Sequence, residues 1–407
     1  MILNPMLKFI LYSFVWGFCF FVGELSVAQQ QTRNLLSTPN SLKDVAYSFD
    51  QNKLDAAPDC FHVLRTFVDY FYLLIKENKS TWQTLGNISG TNYGWCVGDA
   101  HLENFGIMHQ QGGKPIFTMN DMDDSGPCPV ELDLFRFIVS SKLYNKDSSV
   151  RVLVDAYSKG IHQESFSRPT LINDLFESAK EKGGAVINKK KFNGQQFKDV
   201  DPKNRINQSD SLWLTIHQAL NQWSKETGIS LEVLDMITSK KMGGGSGGLK
   251  RFEILAKVKD EYVHLELKTQ VTPGINALYL STSSAPFSPI PVLPETYERI
   301  KITLSFEQSL KPYPYYSVLK IGQTDMLLRP RFAGDVGVTL SENDFINNQN
   351  IAIYEAYVLG RIHSHSLEQY NFLQNYIENF KKYSLSAWEN DVARMTDFFN
   401  AKCFSLK

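Results

Sequence analysis

Residues 92–106 read NYGWCVGDAHLENFG, with Asp99, His101, Glu103 and Asn104 crowded into six positions directly ahead of the apolar Phe105 and Ile107. Asp and Asn often do no more in such places than close a turn through their own side chains. Here the flanking chain asks for more. Gly112-Gly113 marks a turn and residues 116–119 look like a short strand, so a hairpin is expected to bring Asn104 beside Asp121 of the acidic run NDMDD.

Working outward, residues 60–78 place Phe61, Leu64, Phe67, Val68, Phe71 and Leu74 at helical spacing, which predicts an amphipathic helix. PVELDLFRFIVSSKLY, after the acidic run, returns to a helical pattern through Leu132, Phe135, Ile138 and Val139. Residues 178–210 are polar, basic in the middle and without periodicity, and are expected to form a surface insertion or mobile loop. Helical signal resumes in LWLTIHQALNQW and LEVLDMI and stops at KMGGGSGG. LKRFEILAKVKDEYVHLELKTQ then predicts two strands about residues 259–261, the second alternating Val263, Leu265 and Leu267 against His264, Glu266 and Lys268. PETYERIKITLSFEQSL predicts a helix, YYSVLKIG and DMLLRPRF strands, and a capping-box-like Ser341 with Asp344 opens a long helix to about YVLGRIHSHS. The expected class is α+β.

The 407 residues are 43% apolar and 13% aromatic, enough for a sizeable core, and 42 basic against 43 acidic residues leave a formal net charge of −1. That balance gives no electrostatic case for a nucleic-acid partner. Lys8, the apolar run after it and small Ser26 and Ala28 predict a signal peptide over residues 1–28, hence an exported protein, periplasmic or secreted, with no stable membrane insertion after cleavage. Cys60, Cys96, Cys128 and Cys403 would remain; their three possible pairings stay open, and none has zinc-ligand spacing.

Phosphoryl transfer requires a carboxylate near the acceptor hydroxyl, oxygen ligands for magnesium, a lysine on the phosphates and a glycine loop above them. Asp99 suits the first role, Asn104 and Asp121 the second, and Lys268 the third. GGGSGG, with Gly243, Gly245, Ser246 and Gly248, suits the last, although a flexible linker has the same composition. Glu295, Glu298 and Glu307 are candidates to pair with Lys268. Two other classes compete. Asp99-Ala-His101 with His363 and His365 is a partial pattern for a two-metal phosphoesterase, and a catalytically inactive secreted binding protein would need none of this chemistry.

GDAHLENFG, FTMNDMDDSGP and ELDLFRF look like the catalytic and metal-binding loops of the aminoglycoside phosphotransferase and choline kinase group. With GGGSGG, LELK and GRIHSHS added, the chain more closely resembles the bacterial domain-of-unknown-function family twenty-two fifty-two, from about residue 90 to about residue 370. The resemblance implies a two-lobed protein-kinase-like fold, with Mg2+ and ATP as cofactors and an unknown hydroxyl-bearing small molecule or protein as acceptor. By the same resemblance Asp99 is the catalytic aspartate, His101 the loop histidine, Asn104 and Asp121 the magnesium ligands, residues 243–248 the phosphate loop, Lys268 the phosphate lysine and Asp133 the brace of the catalytic loop. In kinases the glycine loop comes first, whereas Gly243 lies 144 positions after Asp99, so a circular permutation is implied. The expected domains are a helical lobe over 29–240 with the catalytic and metal-binding loops, a small β-rich nucleotide-binding lobe over 241–335, and C-terminal helices over 336–407.

Overall fold

Strand pairing begins at the motif itself. Tyr93–Cys96 (β1), Phe105–Met108 (β2), Ile116–Met119 (β3) and Gly126–Pro129 (β4) are all short. β2 and β3 form the expected antiparallel hairpin, Val336–Gly337 pairs with the outer side of β2, and β1 runs antiparallel to β4. The computed structural model describes residues 42, 45–84, 93–112, 114–240, 245, 247–279, 296–308, 313–341, 344–380, 382 and 384–406. The expected signal segment 1–28, Gly243, Ser246 and Glu295 lie outside these residues.

Leu231–Ser239 (β5), Arg251–Val258 (β6), Glu261–Thr269 (β7), Ser317–Ile321 (β8) and Thr324–Pro330 (β9) build a five-stranded antiparallel sheet in the order β5-β6-β7-β9-β8. The turn between β6 and β7 takes Lys259 to φ +56°. Apolar residues of one face, among them Ile254, Leu265, Leu267 and Leu328, pack on Trp213, Ile216, Leu220 and Trp223 of helix Ser211–Thr227. With its antiparallel sheets and segregated helices the chain is of the α+β class.

Four local expectations change. LEVLDMI is strand rather than helix: Gly228, at φ +70°, ends the preceding helix, and the segment then pairs along the whole of β6. Pairing of that extent overrides a weak local periodicity. The predicted helix over 60–78 breaks at Phe67 (φ −115°, ψ 68°) into Cys60–Thr66 and Val68–Glu77. The turn Gly274–Leu278 fits against the break so closely that a Cβ on Gly274 would meet the Val68 side chain at 2.6 Å. Residues 178–210 do not hang off the surface as a loose insertion; Ile187, Phe192 and Phe197 bury against Leu255 of the sheet, and Ile206 joins the core under the 211–227 helix. Finally, the long helix Phe345–Gln369 is capped by Asp344, which accepts from the Asn347 N–H, and not by Ser341.

A close backbone crossing fixes that long helix behind the motif. Gly160 of helix Val150–Ile161 meets Gly360 backbone to backbone, and a Cβ on Gly160 would lie 2.1 Å from the Tyr357 carbonyl oxygen. Helix Thr296–Gln308 lays Ile300 and Leu304 against Leu327 of β9 and against Met108 and Met122 beside the hairpin, joining the sheet to the motif.

The cysteines pair as Cys60–Cys403 and Cys96–Cys128. The second bond ties β1 to β4 immediately before the motif, and the first ties helix Cys60–Thr66 to helix Leu385–Leu406. No helix among the described residues is long and apolar enough to cross a membrane. Cross-linking residues 343 positions apart removes much freedom from the unfolded chain. Replacing both Cys60 and Cys403 by Ala is therefore expected to lower the unfolding free energy by about 2–5 kcal/mol, read from denaturant titration under non-reducing conditions.

Candidate functional site

Asp133 anchors the motif from below. It lies in the first turn of helix Glu131–Tyr144, wholly buried, and its carboxylate accepts the Val97 N–H at 2.5 Å and the Gly98 N–H at 3.0 Å. Its second contact is His363 of the long helix, whose Nε2 lies 3.1 Å away while Nδ1 meets the Tyr157 hydroxyl at 2.8 Å. Gly98 bends with φ +83°, and a Cβ there would fall 1.9 Å from the Asp124 carbonyl oxygen. Only glycine lets the two loops lie this close.

One turn along the same helix, Arg136 is equally buried and donates through Nη2 to Asp99 Oδ1 at 2.5 Å and to the Leu64 carbonyl at 2.9 Å. Burial resists charge on Asp99, but His101 and Arg136 outweigh it and hold the carboxyl well below the usual carboxylate range. His101 accepts the Glu103 N–H at Nδ1, which assigns its proton to Nε2, 3.5 Å from Asp99 Oδ2. Burial pushes this imidazole below its ordinary value against the pull of Asp99. Asn104 spends its amide N–H groups on the carbonyls of Asp99 (3.0 Å) and Asp121 (3.4 Å), which leaves Oδ1 as its acceptor.

Across from this loop, Lys268 projects from β7, fully buried, with Nζ 3.5 Å from Asp121 Oδ1 and ion-paired to Asp123. Burial pushes the ammonium below its ordinary value, opposed by Asp121. Of the expected glutamate partners, Glu298 is exposed, while Glu295 and the Glu307 side chain lie outside what the structure describes. Helix Thr296–Gln308 instead supplies Arg299, which donates to the carbonyls of Met122, Asp123 and Ser125. Burial brings that guanidinium down to about 10. Asp124 accepts the Gly274 N–H at 2.6 Å, and burial together with the nearby Asp99 charge raises it to about 7.

Asp99, His101, Asn104, Asp121, Gly245 and Lys268 all line one cavity of about 550 Å³. Gly245 is seated on the N-terminal helices, its carbonyl taking Lys53 Nζ at 3.0 Å. Gly248 adopts φ +78° and lies outside the lining, and Gly243 and Ser246 cannot be placed, being outside the described residues. His363 and His365 are not at the cavity: the first serves Asp133, and the second has Nδ1 3.2 Å from the Phe306 carbonyl. Among the described residues no three His, Cys, Asp or Glu side chains already converge on a metal position. The Asn104 and Asp121 oxygens are nonetheless of the hard type magnesium takes.

Arg136, Asp123, Asp124 and Arg299 were not singled out from the sequence. The first three had a signal: Arg136 stands three residues after Asp133, on the same helical face, and Asp123 and Asp124 are part of the quoted acidic run. A family model described as an uncharacterized protein conserved in bacteria (DUF2252) matches residues 88–156, a span that holds Asp99, His101, Asn104, Asp121, Asp133 and Arg136. Neither the curated proteins nor the solved structures give a match.

A carboxyl raised in the folded state adds stability below its unfolded value, near 3.8, and that contribution is lost as pH climbs through about 7. Without added divalent cation, Asp124→Asn is expected to melt above the parent at pH 8, with the gap closing steadily between pH 7 and pH 4. Thermal unfolding across that range checks it.

Proposed function

We propose that the chain is a magnesium-dependent phosphotransferase of kinase-like type, circularly permuted, which moves a phosphoryl group from a nucleotide such as ATP to a hydroxyl acceptor. One observation carries this proposal: residues as far apart in sequence as Asp99, Asn104, Asp121, Gly245 and Lys268 surround a single cavity, with the lysine buried against the acidic loop. An isolated charge is not buried without such a purpose or such partners. Asp99, kept ionised by Arg136 and His101, would orient the acceptor hydroxyl and take up its proton as the oxygen attacks. Asn104 Oδ1 and the Asp121 carboxylate would hold magnesium, which supplies neutralisation of charge on the phosphates. Lys268 would move from Asp123 to a phosphate oxygen, exchanging one anionic partner for another.

Export belongs to the same proposal. The two disulfides support it, because such bonds persist mainly in oxidising compartments. A second reading, nucleotide binding without transfer, is favoured by one contact: Arg136 already occupies Asp99 Oδ1.

Thermal unfolding of the full chain with and without magnesium and millimolar ATP is the test. Ligand at about 100 times its dissociation constant adds about 2.7 kcal/mol, a visible rise in midpoint. The rise is expected in the parent and lost in Asp121→Ala and Lys268→Ala; no rise in the parent would end the proposal. Asp99→Asn, retaining the rise but losing transfer to any acceptor the parent phosphorylates, separates catalysis from silent binding.

A further inference from the structure

Successive residues of a strand point to opposite faces, so Lys268, Glu266 and His264 share the face of β7 turned away from the 211–227 helix. Their register partners point the same way: Arg251 and Leu327 flank Lys268, Glu253 and Arg329 flank Glu266, and Leu255 lies opposite His264. The residues around Lys268 on this face are engaged by the chain itself. Leu327 is under helix Thr296–Gln308. Glu266 is buried between Arg251 (3.2 Å) and Arg329 (2.6 Å), and these with Arg331 hold its carboxyl down to about 2 although burial alone would raise it. His264 pairs with Glu253 at 3.0 Å, the Phe197 ring stands edge-on to it at 5.1 Å, and Leu255 is sealed by Ile187, Phe192 and Phe197.

Lys268 alone among the described residues of the five strands reaches the cavity. A planar base slid under the sheet beside that lysine would have to displace either a buried ion triad or the 187–197 segment. Removing one partner of a buried pair is strongly destabilising, more so than a stacked base can offset. The aromatic side chains of the cavity wall are also engaged. The Tyr47 hydroxyl donates to Asp69 at 2.7 Å and its ring lies 4.9 Å from that of Tyr70, while the Phe67 ring meets Phe49 at 4.9 Å.

We infer that the donor is recognised through its phosphate chain and magnesium alone, with no pocket for the base among the described residues, so that inorganic tripolyphosphate is bound as well as a nucleoside triphosphate. This rests on the phosphotransferase proposal. With tripolyphosphate as donor, the acceptor oxygen bonds to a terminal phosphorus and the bridging P–O bond breaks. Its electron pair leaves with pyrophosphate, and the hydroxyl proton is released. Such a donor also suits an exported protein, which meets little nucleotide.

Isothermal titration of the full chain with magnesium and, in turn, ATP, GTP, tripolyphosphate and adenosine decides the matter. The dissociation constants of ATP, GTP and tripolyphosphate are expected to agree within about threefold, with no heat from adenosine, and all three are expected to weaken together in Lys268→Ala. A preference of roughly tenfold or more for one nucleotide over tripolyphosphate, or adenosine competing with tripolyphosphate, would overturn base-independent recognition and leave phosphotransfer standing. No binding by any of the phosphates would overturn both.

Discussion

The buried ammonium of Lys268 is the constraint around which the site is arranged. A lysine with no exposed surface must keep anionic partners or give up its charge. Asp121 and Asp123 meet that need from a loop some 145 positions away in sequence. Once those two carboxylates are committed, the 120–125 loop has to lie under β7. The strand β3 that delivers it and the Arg299 guanidinium that ties down its carbonyls have to follow. Leu327, beside Lys268 on the neighbouring strand, turns the same proximity into an apolar contact with Met122, Ile300 and Leu304.

Helix Glu131–Tyr144 does for the other loop what Lys268 does for the acidic one, with backbone and side chain handled separately. Asp133 secures the amides of Val97 and Gly98; Arg136, a turn later, secures the carboxylate that those amides precede. The position of Asp99 is thus set by two buried groups on one rigid rod, and loop flexibility has little say in it. His363 extends the brace to the long helix and, through Tyr157, to the Gly160–Gly360 crossing.

Much of this was legible in the sequence. Local turn chemistry was enough for the 105–119 hairpin, and strict alternation was enough for β6 and β7. LEVLDMI misled because its apolar spacing suits either period and only the neighbour β6 decides between them. The break at Phe67 is dictated by Gly274, more than two hundred residues downstream. The 178–210 stretch looked loose because four apolar anchors spread through a polar segment produce no period, yet four anchors suffice to seat it. At the site, Asp99, Asn104, Asp121 and Lys268 stood out by residue type. Arg136 offered only its spacing from Asp133 and Arg299 nothing, because an arginine in a helix looks like a surface residue until its carboxylate or carbonyl partners are known.

Cys60 and Cys403 have α-carbons 5.5 Å apart, so the oxidised body from one to the other is a covalent ring. A ring has no first strand. A single cut of the backbone between the two cysteines therefore opens the ring without separating the pieces, and helix Cys60–Thr66 stays tied to helix Leu385–Leu406.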